Sequence, residues 1–147
     1  MESLEYSLRS KGVYHEEQTG VVWSDEYWLK CTPLDNSTVM HYFYMSVFYD
    51  KSANNEKTRE DLSRLKYMKG LEYMIVHSIP EVGIFHIRKQ YRQGEKKIIP
   101  ISMYYVLSGK IYEAPSLGKV LQAKLRNLSF CLNQSLYNLA ACAEQGQ

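Results

Sequence analysis

No window of the 147-residue chain reaches the roughly 18 uncharged apolar residues of a membrane span. The opening residues Met1-Glu2-Ser3-Leu4-Glu5-Tyr6 carry acids where a secretory leader needs an apolar run, so no leader is expected. Cysteine is scarce: Cys31, Cys131 and Cys142 are an odd number at unrelated spacings, which excludes a disulfide framework and favours a reducing compartment, cytosol or nucleus. There is no Cys-x-x-Cys and no His-Glu-x-x-His, and His15, His41, His77 and His86 lack ligand spacing. No glycine-rich phosphate loop and no Gly-x-Ser-x-Gly elbow is present. No metal and no cofactor is expected. A net charge of +2 is too small to steer a nucleic acid by itself.

What is present is an ordinary globular composition, 45% hydrophobic and 23% charged, of single-domain length. The unusual number is 13 Tyr against 4 Phe. A tyrosine buries an apolar ring but needs a partner for its hydroxyl, which suits half-wet sheets and interfaces as well as plain strand formation.

The organisation reads as α+β. Residues 1–18 are polar without a sustained period and read as a flexible N-terminal arm. Residues 19–114 read as the core domain. Its first part, Val21 to Leu29, is an extended segment delivering Trp23 and Trp28 to the core, ended by Pro33. Asn36 or Ser37 then caps a short helix through Met45, with Val39, Met40, Phe43 and Tyr44 inward. Asn54-Asn55 starts a second short helix, with Leu62, Leu65 and Met68 at helical spacing and Gly70 as its stop. An antiparallel meander of about four to five strands follows: Leu71 to Ile79, Gly83 to Arg92, Ile98 to Leu107 and Lys110 to Glu113, with turns at Pro80-Glu81-Val82, Gly94 to Lys97 and Ser108-Gly109. Phe85, Ile87 and Tyr91 share one face of their strand, and His86, Arg88, Gln90 and Arg92 the other. In the next strand Ile99, Ile101, Met103, Tyr105 and Leu107 share one face.

Residues 115–147 read as one long C-terminal helix, packing on the core and on partners. Leu117, Leu121, Leu125, Leu128, Leu132, Leu136 and Leu139 repeat at spacings of four and three, and Val120, Ala123, Phe130, Tyr137, Ala140 and Ala141 widen the apolar surface beyond one stripe. About 28 residues at 1.5 Å each span ~40 Å, against ~38 Å for the diameter of a compact domain of this length. Either a partner takes the surplus, through Val120, Leu121, Leu125, Leu128, Leu132, Leu136 and Tyr137, or the helix is satisfied by its own sheet or by a homodimer.

Two further constellations need weighing. His77 and His86 lie on neighbouring strands and, with Asp25, Glu26 or Glu72, could be drawn as an acid–base pair, but nothing in the spacing fixes that geometry and no enzyme is expected. The basic run Arg88-Lys89-Gln90-Tyr91-Arg92, followed by Lys96-Lys97, could meet a phosphate backbone and stack a base. It could equally pair with an acidic partner, or with Glu72 across the sheet.

Taken in order, these segments resemble the Mediator complex subunit six family. The resemblance rests on Gly70 to His77, then Ile87-Arg88-Lys89-Gln90-Tyr91-Arg92, Tyr104-Tyr105 and Gly109-Lys110-Ile111-Tyr112-Glu113-Ala114-Pro115. Upstream, Trp23 and Trp28, Tyr42-Phe43, Ser46-Val47-Phe48-Tyr49-Asp50 and Asn54-Asn55-Glu56 resemble the family's blocks, with Val47 where proline is usual. The likeness covers roughly residues 20 to 140. It implies a non-catalytic scaffold subunit of the Mediator head module in the nucleus, supporting RNA polymerase II transcription through indirect contact. The partners it implies are other head subunits, notably the eighth, eleventh and seventeenth, bundled with the C-terminal helix. The tail that many members carry after that helix is not expected here.

Overall fold

The computed structural model describes residues 15–146. They fall into two compact units, one ending at Ala114 and one starting at Pro115. In the first unit, β1 (Val22–Trp23), β2 (Gly70–Ile79), β3 (Ile84–Arg92), β4 (Ile98–Leu107) and β5 (Lys110–Glu113) form an antiparallel sheet in the order β1-β5-β4-β3-β2. This is a meander with the short β1 added beside its last strand. Short turns enforce it: Gly83 takes φ +69° after Pro80–Val82, and Ser108 and Gly109 both take positive φ between β4 and β5, as a two-residue hairpin requires.

The sequence-derived strands coincide with β2–β5 to within a residue at either end. The helices differ more. The tryptophan segment is not extended throughout, because Asp25 Oδ1 accepts the Trp28 amide at 2.9 Å and starts helix α1 (Glu26–Cys31). Helix α2 is Val39–Tyr44, and its entry is set by Asp35, whose carboxylate accepts the amides of Ser37 and Thr38 at 2.7 and 3.0 Å. The expected second helix is two 3-10 turns, Asn54–Lys57 and Leu62–Tyr67. Asn54 and Asn55 are not exposed helix starters but buried side chains.

The core lies on one face of the sheet and is largely aromatic. Val39, Met40, Tyr42, Phe43 and Tyr44 of α2 pack with Phe48 and Tyr49 against Tyr73, Phe85, Ile87, Tyr104, Val106 and Ile111. Phe43 sits 5.3 Å from the Tyr73 ring and 5.2 Å from Tyr104, in tilted arrangements that favour aromatic pairs. Strand pairing settles which face of β4 turns inward. Tyr104 and Val106 point inward, because they pair with Ile87 and Phe85, while Met103, Tyr105 and Leu107 point to the other face. A bulge between Lys89 and Gln90 leaves Ile101 unpaired and breaks the alternation there.

Tyrosine hydroxyls serve as backbone partners. Tyr42 Oη accepts the Asp25 amide at 2.9 Å and donates to the Gly109 carbonyl at 2.6 Å, joining the start of α1 to the β4–β5 turn. Tyr73 Oη accepts the Asp50 amide and donates to the Phe48 carbonyl. Asn55 does the reverse at the edge strand: its Oδ1 accepts the Tyr73 amide at 2.8 Å and its Nδ2 donates to the Tyr73 carbonyl at 2.9 Å. That side chain imitates a neighbouring strand and closes the open edge of β2 at this point.

The second face of the sheet carries a buried ionic network. Glu72 is fully buried and Arg92 nearly so, with Arg92 Nη2 2.8 Å from Glu72 Oε1 and its Nε shared between both carboxylate oxygens. Gln90 Nε2 donates to the same carboxylate at 2.5 Å, and Arg92 Nη1 donates to the Glu95 carbonyl at 2.8 Å.

Three stability outcomes follow, each read by denaturant unfolding. Tyr42→Phe strands a carbonyl and an amide and costs about 1–3 kcal/mol. Asn55→Ala strands both polar groups of Tyr73 and costs about 3 kcal/mol. Glu72→Ala leaves Arg92 buried and unpaired, costing about 3–5 kcal/mol, whereas Glu72→Met combined with Arg92→Met recovers most of that loss. A Glu72→Ala chain as stable as the parent would show that the pair is not a buried constraint.

Candidate functional site

The second unit is helix α3 (Leu117–Gln145). Pro115 precedes it, and Ser116 caps it by accepting the Lys119 amide at 3.3 Å. Its 29 residues extend about 43 Å. None of them is buried. Of the residues proposed from sequence for partner contact, Val120 is half-buried, while Leu121, Leu125, Leu128, Leu132, Leu136 and Tyr137 are all exposed, Leu125 at 63% and Tyr137 at 73%. Leu117, Phe130 and Leu139 are exposed as well. From Asn127 to Ala143 the helix has no charged side chain, yet no described helix is long and apolar enough to cross a membrane. An uncharged helix with leucines in water along several turns is an incomplete packing surface.

The basic strand behaves otherwise. Arg92 is committed to Glu72. Lys89 lies on the core face, buried, with Nζ 5.9 Å from the Tyr73 ring centroid and 3.4 Å from His15 Nδ1. Burial pushes its ammonium pKa down, against the opposing pull of Asp50 and Glu113. Arg88 is half-buried and donates Nε to Gln90 at 2.6 Å. Two of the three cations offered to a phosphate backbone, Lys89 and Arg92, are therefore buried. Lys96 and Lys97 are exposed in the turn, apart from them. The nucleic-acid alternative loses its surface, and the cross-strand pairing with Glu72 is the arrangement found.

His77 and His86 do share one face, with ring centroids 5.2 Å apart, and Tyr105 stands edge-on to His86 at 4.7 Å. Burial, then the neighbouring His77, lowers the His86 pKa. His77 is exposed, so the pair is not an enclosed acid–base site. Among the described residues no three metal-ligating side chains come together.

Glu113 is the polar centre that sequence reasoning missed. It is buried on β5 and collects Ser102 Oγ at 2.5 Å, the Gln18 amide at 2.6 Å and His15 Nε2. Burial works to raise its pKa, and the bonds from His15, Ser102 and Gln18 outweigh it, so the carboxyl is held below its ordinary range. The expected arm is thus tied down at His15 and Gln18, while its residues 1–14 lie outside the described residues. The signal available was thin: an acid at an inward position of a short strand.

Comparison with known proteins places these surfaces in a family. Residues 21–145 match the family described as MED6 mediator sub complex component. Mediator of RNA polymerase II transcription subunit 6 of Danio rerio is 36% identical over 110 residues, which cover 71% of this chain and 42% of that protein. The chain spans about half the length of the curated relatives it matches. Among solved structures, a chain of the Schizosaccharomyces pombe Mediator head module superposes with a TM-score of 0.70 at 30% identity, covering 82% of this chain and 88% of that one. The Schizosaccharomyces pombe Mediator subunit Med6 superposes with a TM-score of 0.64 at 29% identity, covering 83% and 97%. With the match running from β1 to the last turn of the long helix, this chain belongs to the MED6 mediator sub complex component family.

Proposed function

We propose that this chain is a non-catalytic structural subunit of the Mediator coactivator in the nucleus, joined to other head-module subunits through helix α3 and supporting RNA polymerase II transcription without contacting the polymerase directly. The observation that carries the reading is the exposed leucine stripe on a helix uncharged from Asn127 to Ala143. Such a surface is stable in water only when another apolar surface covers it. The likeness to a chain of the Schizosaccharomyces pombe head module supports head subunits as the source of that cover. Within that reading the eighth, eleventh and seventeenth subunits are the partners, bundling their helices with the strip Val120, Leu121, Leu125, Leu128, Leu132, Leu136 and Tyr137. When isolated, the chain hides the same strip in a homodimer.

Co-expression with head subunits tests the proposal. Each leucine buried in such an interface contributes about 1.5–3 kcal/mol. Leu128→Asp with Leu132→Asp should therefore weaken association by more than about 100-fold, with the near-ultraviolet signal of the aromatic core unchanged. Full assembly by a folded double variant would remove α3 as the dock.

A further inference from the structure

With Tyr104 and Val106 inward, the second face of the sheet receives a set of large apolar and aromatic side chains in register. Ile79, Ile84 and Leu107 form one row across β2, β3 and β4. His77, His86, Tyr105 and Tyr112 form the next, continued by Val22 of β1. Met74, Arg88 and Met103 form a third. Ile79 and Leu107 are 40% and 41% exposed, and Val22 more so. A solvated sheet face ordinarily alternates to polar residues.

Charge on this face is one-sided. Arg88 lies in the third row, and Lys110, exposed, pairs with Leu107 at the end of the first. The single carboxylate that the strands place on this face is Glu72, which is buried and consumed by Arg92. The adjoining turn adds exposed Val82 and one acid, Glu81. The two imidazoles at the centre of the rows accept charge when protonated. Apolar rows bordered by Arg88 and Lys110, which no ion pair among the described residues engages, fit a ligand with both carboxylates and bulky apolar side chains.

We propose that the face formed by Ile79, Ile84, Leu107, His86, Tyr105 and Lys110 binds an acidic, aromatic-rich peptide segment of a partner protein, independently of the docking along α3. Apolar side chains of the segment lie on the rows, and its carboxylates meet Lys110 and Arg88.

Fluorescence anisotropy on the full chain tests this with a labelled 15-residue peptide alternating Asp or Glu with Phe and Leu. Two controls accompany it: the same peptide with Lys at every acidic position, and a single-stranded oligonucleotide of equal charge. The acidic peptide should bind, and raising salt should weaken it. Leu107→Asp with Lys110→Glu should reduce affinity at least tenfold in a chain whose thermal unfolding is unchanged, and Ile79→Asp alone should act in the same direction if the pair proves unstable. The Leu128→Asp, Leu132→Asp chain should bind as the parent does. Absence of binding at millimolar peptide, equal binding of the lysine peptide, or equal binding of the oligonucleotide that shares the same residues would each overturn the proposal. Loss of peptide binding in the α3 variant would overturn it too, by assigning the peptide to the helix.

Discussion

Backbone amides and carbonyls taken out of water must find partners, whether or not the chain around them is regular. In this fold the burden is heaviest between Met45 and Lys69, where the chain has no strand and only short 3-10 turns, yet Phe48, Ala53, Asn54, Asn55, Thr58 and Leu65 are buried. The sheet itself supplies what the loop lacks. Tyr73 reaches up from β2 to hold the Asp50 amide and the Phe48 carbonyl, and Asn55 reaches down to hold both polar groups of Tyr73. Tyr42 makes the equivalent clip between α1 and the β4–β5 turn. A phenylalanine at position 42 or 73 would leave these groups unsatisfied. Burial raises the pKa of Tyr73 above the ordinary phenol value, so the hydroxyl stays protonated and able to donate.

The same accounting governs the charged strand. Lys89 lies on the core face and Gln90 and Arg92 on the opposite one, and each is buried with a named partner. Buried ions of this kind add little net stability compared with apolar residues of equal size, but breaking one partner is costly. Their effect is to fix register. Glu72 opposite Gln90, with Arg92 two pairs further, cannot slip by one residue without turning the carboxylate onto the aromatic core.

Much of this was legible in the residues and some was not. Strands β2 to β5 announced themselves through period-two alternation and turn dipeptides, and α3 through its four-three leucine spacing. Two kinds of feature escaped. The 3-10 turn at Leu62–Tyr67 carries Leu62 and Leu65 at a spacing that an α-helix shares, and the turn at Asn54–Lys57 is marked only by the bonds of Asn55 to the edge residue Tyr73. The inward face of β4 is not legible because the strand is apolar on both sides, so alternation gives no sign of direction and the pairing to Phe85 and Ile87 decides it. For the candidate surfaces, leucine spacing singled out the helix residues that we propose as a dock, whereas the fate of Arg88, Lys89 and Arg92 depended on cross-strand neighbours that a linear reading only suggests.

The two units also differ in where their stability comes from. Among the described residues, every buried one lies between Val39 and Glu113, so the first unit closes its core with its own side chains. Helix α3 closes none, and a helix in water without tertiary packing is marginal even at good propensity. Its interior includes Asn127, Ser129, Asn133, Ser135 and Asn138, which compete with helical hydrogen bonds, and Ser135 already bonds the Cys131 carbonyl one turn back. The exposed leucine stripe, which we propose as the dock, is therefore also the part of the helix that gains most from apolar cover. On that reading the first unit supplies its own core, whereas α3 is completed by a partner's side chains.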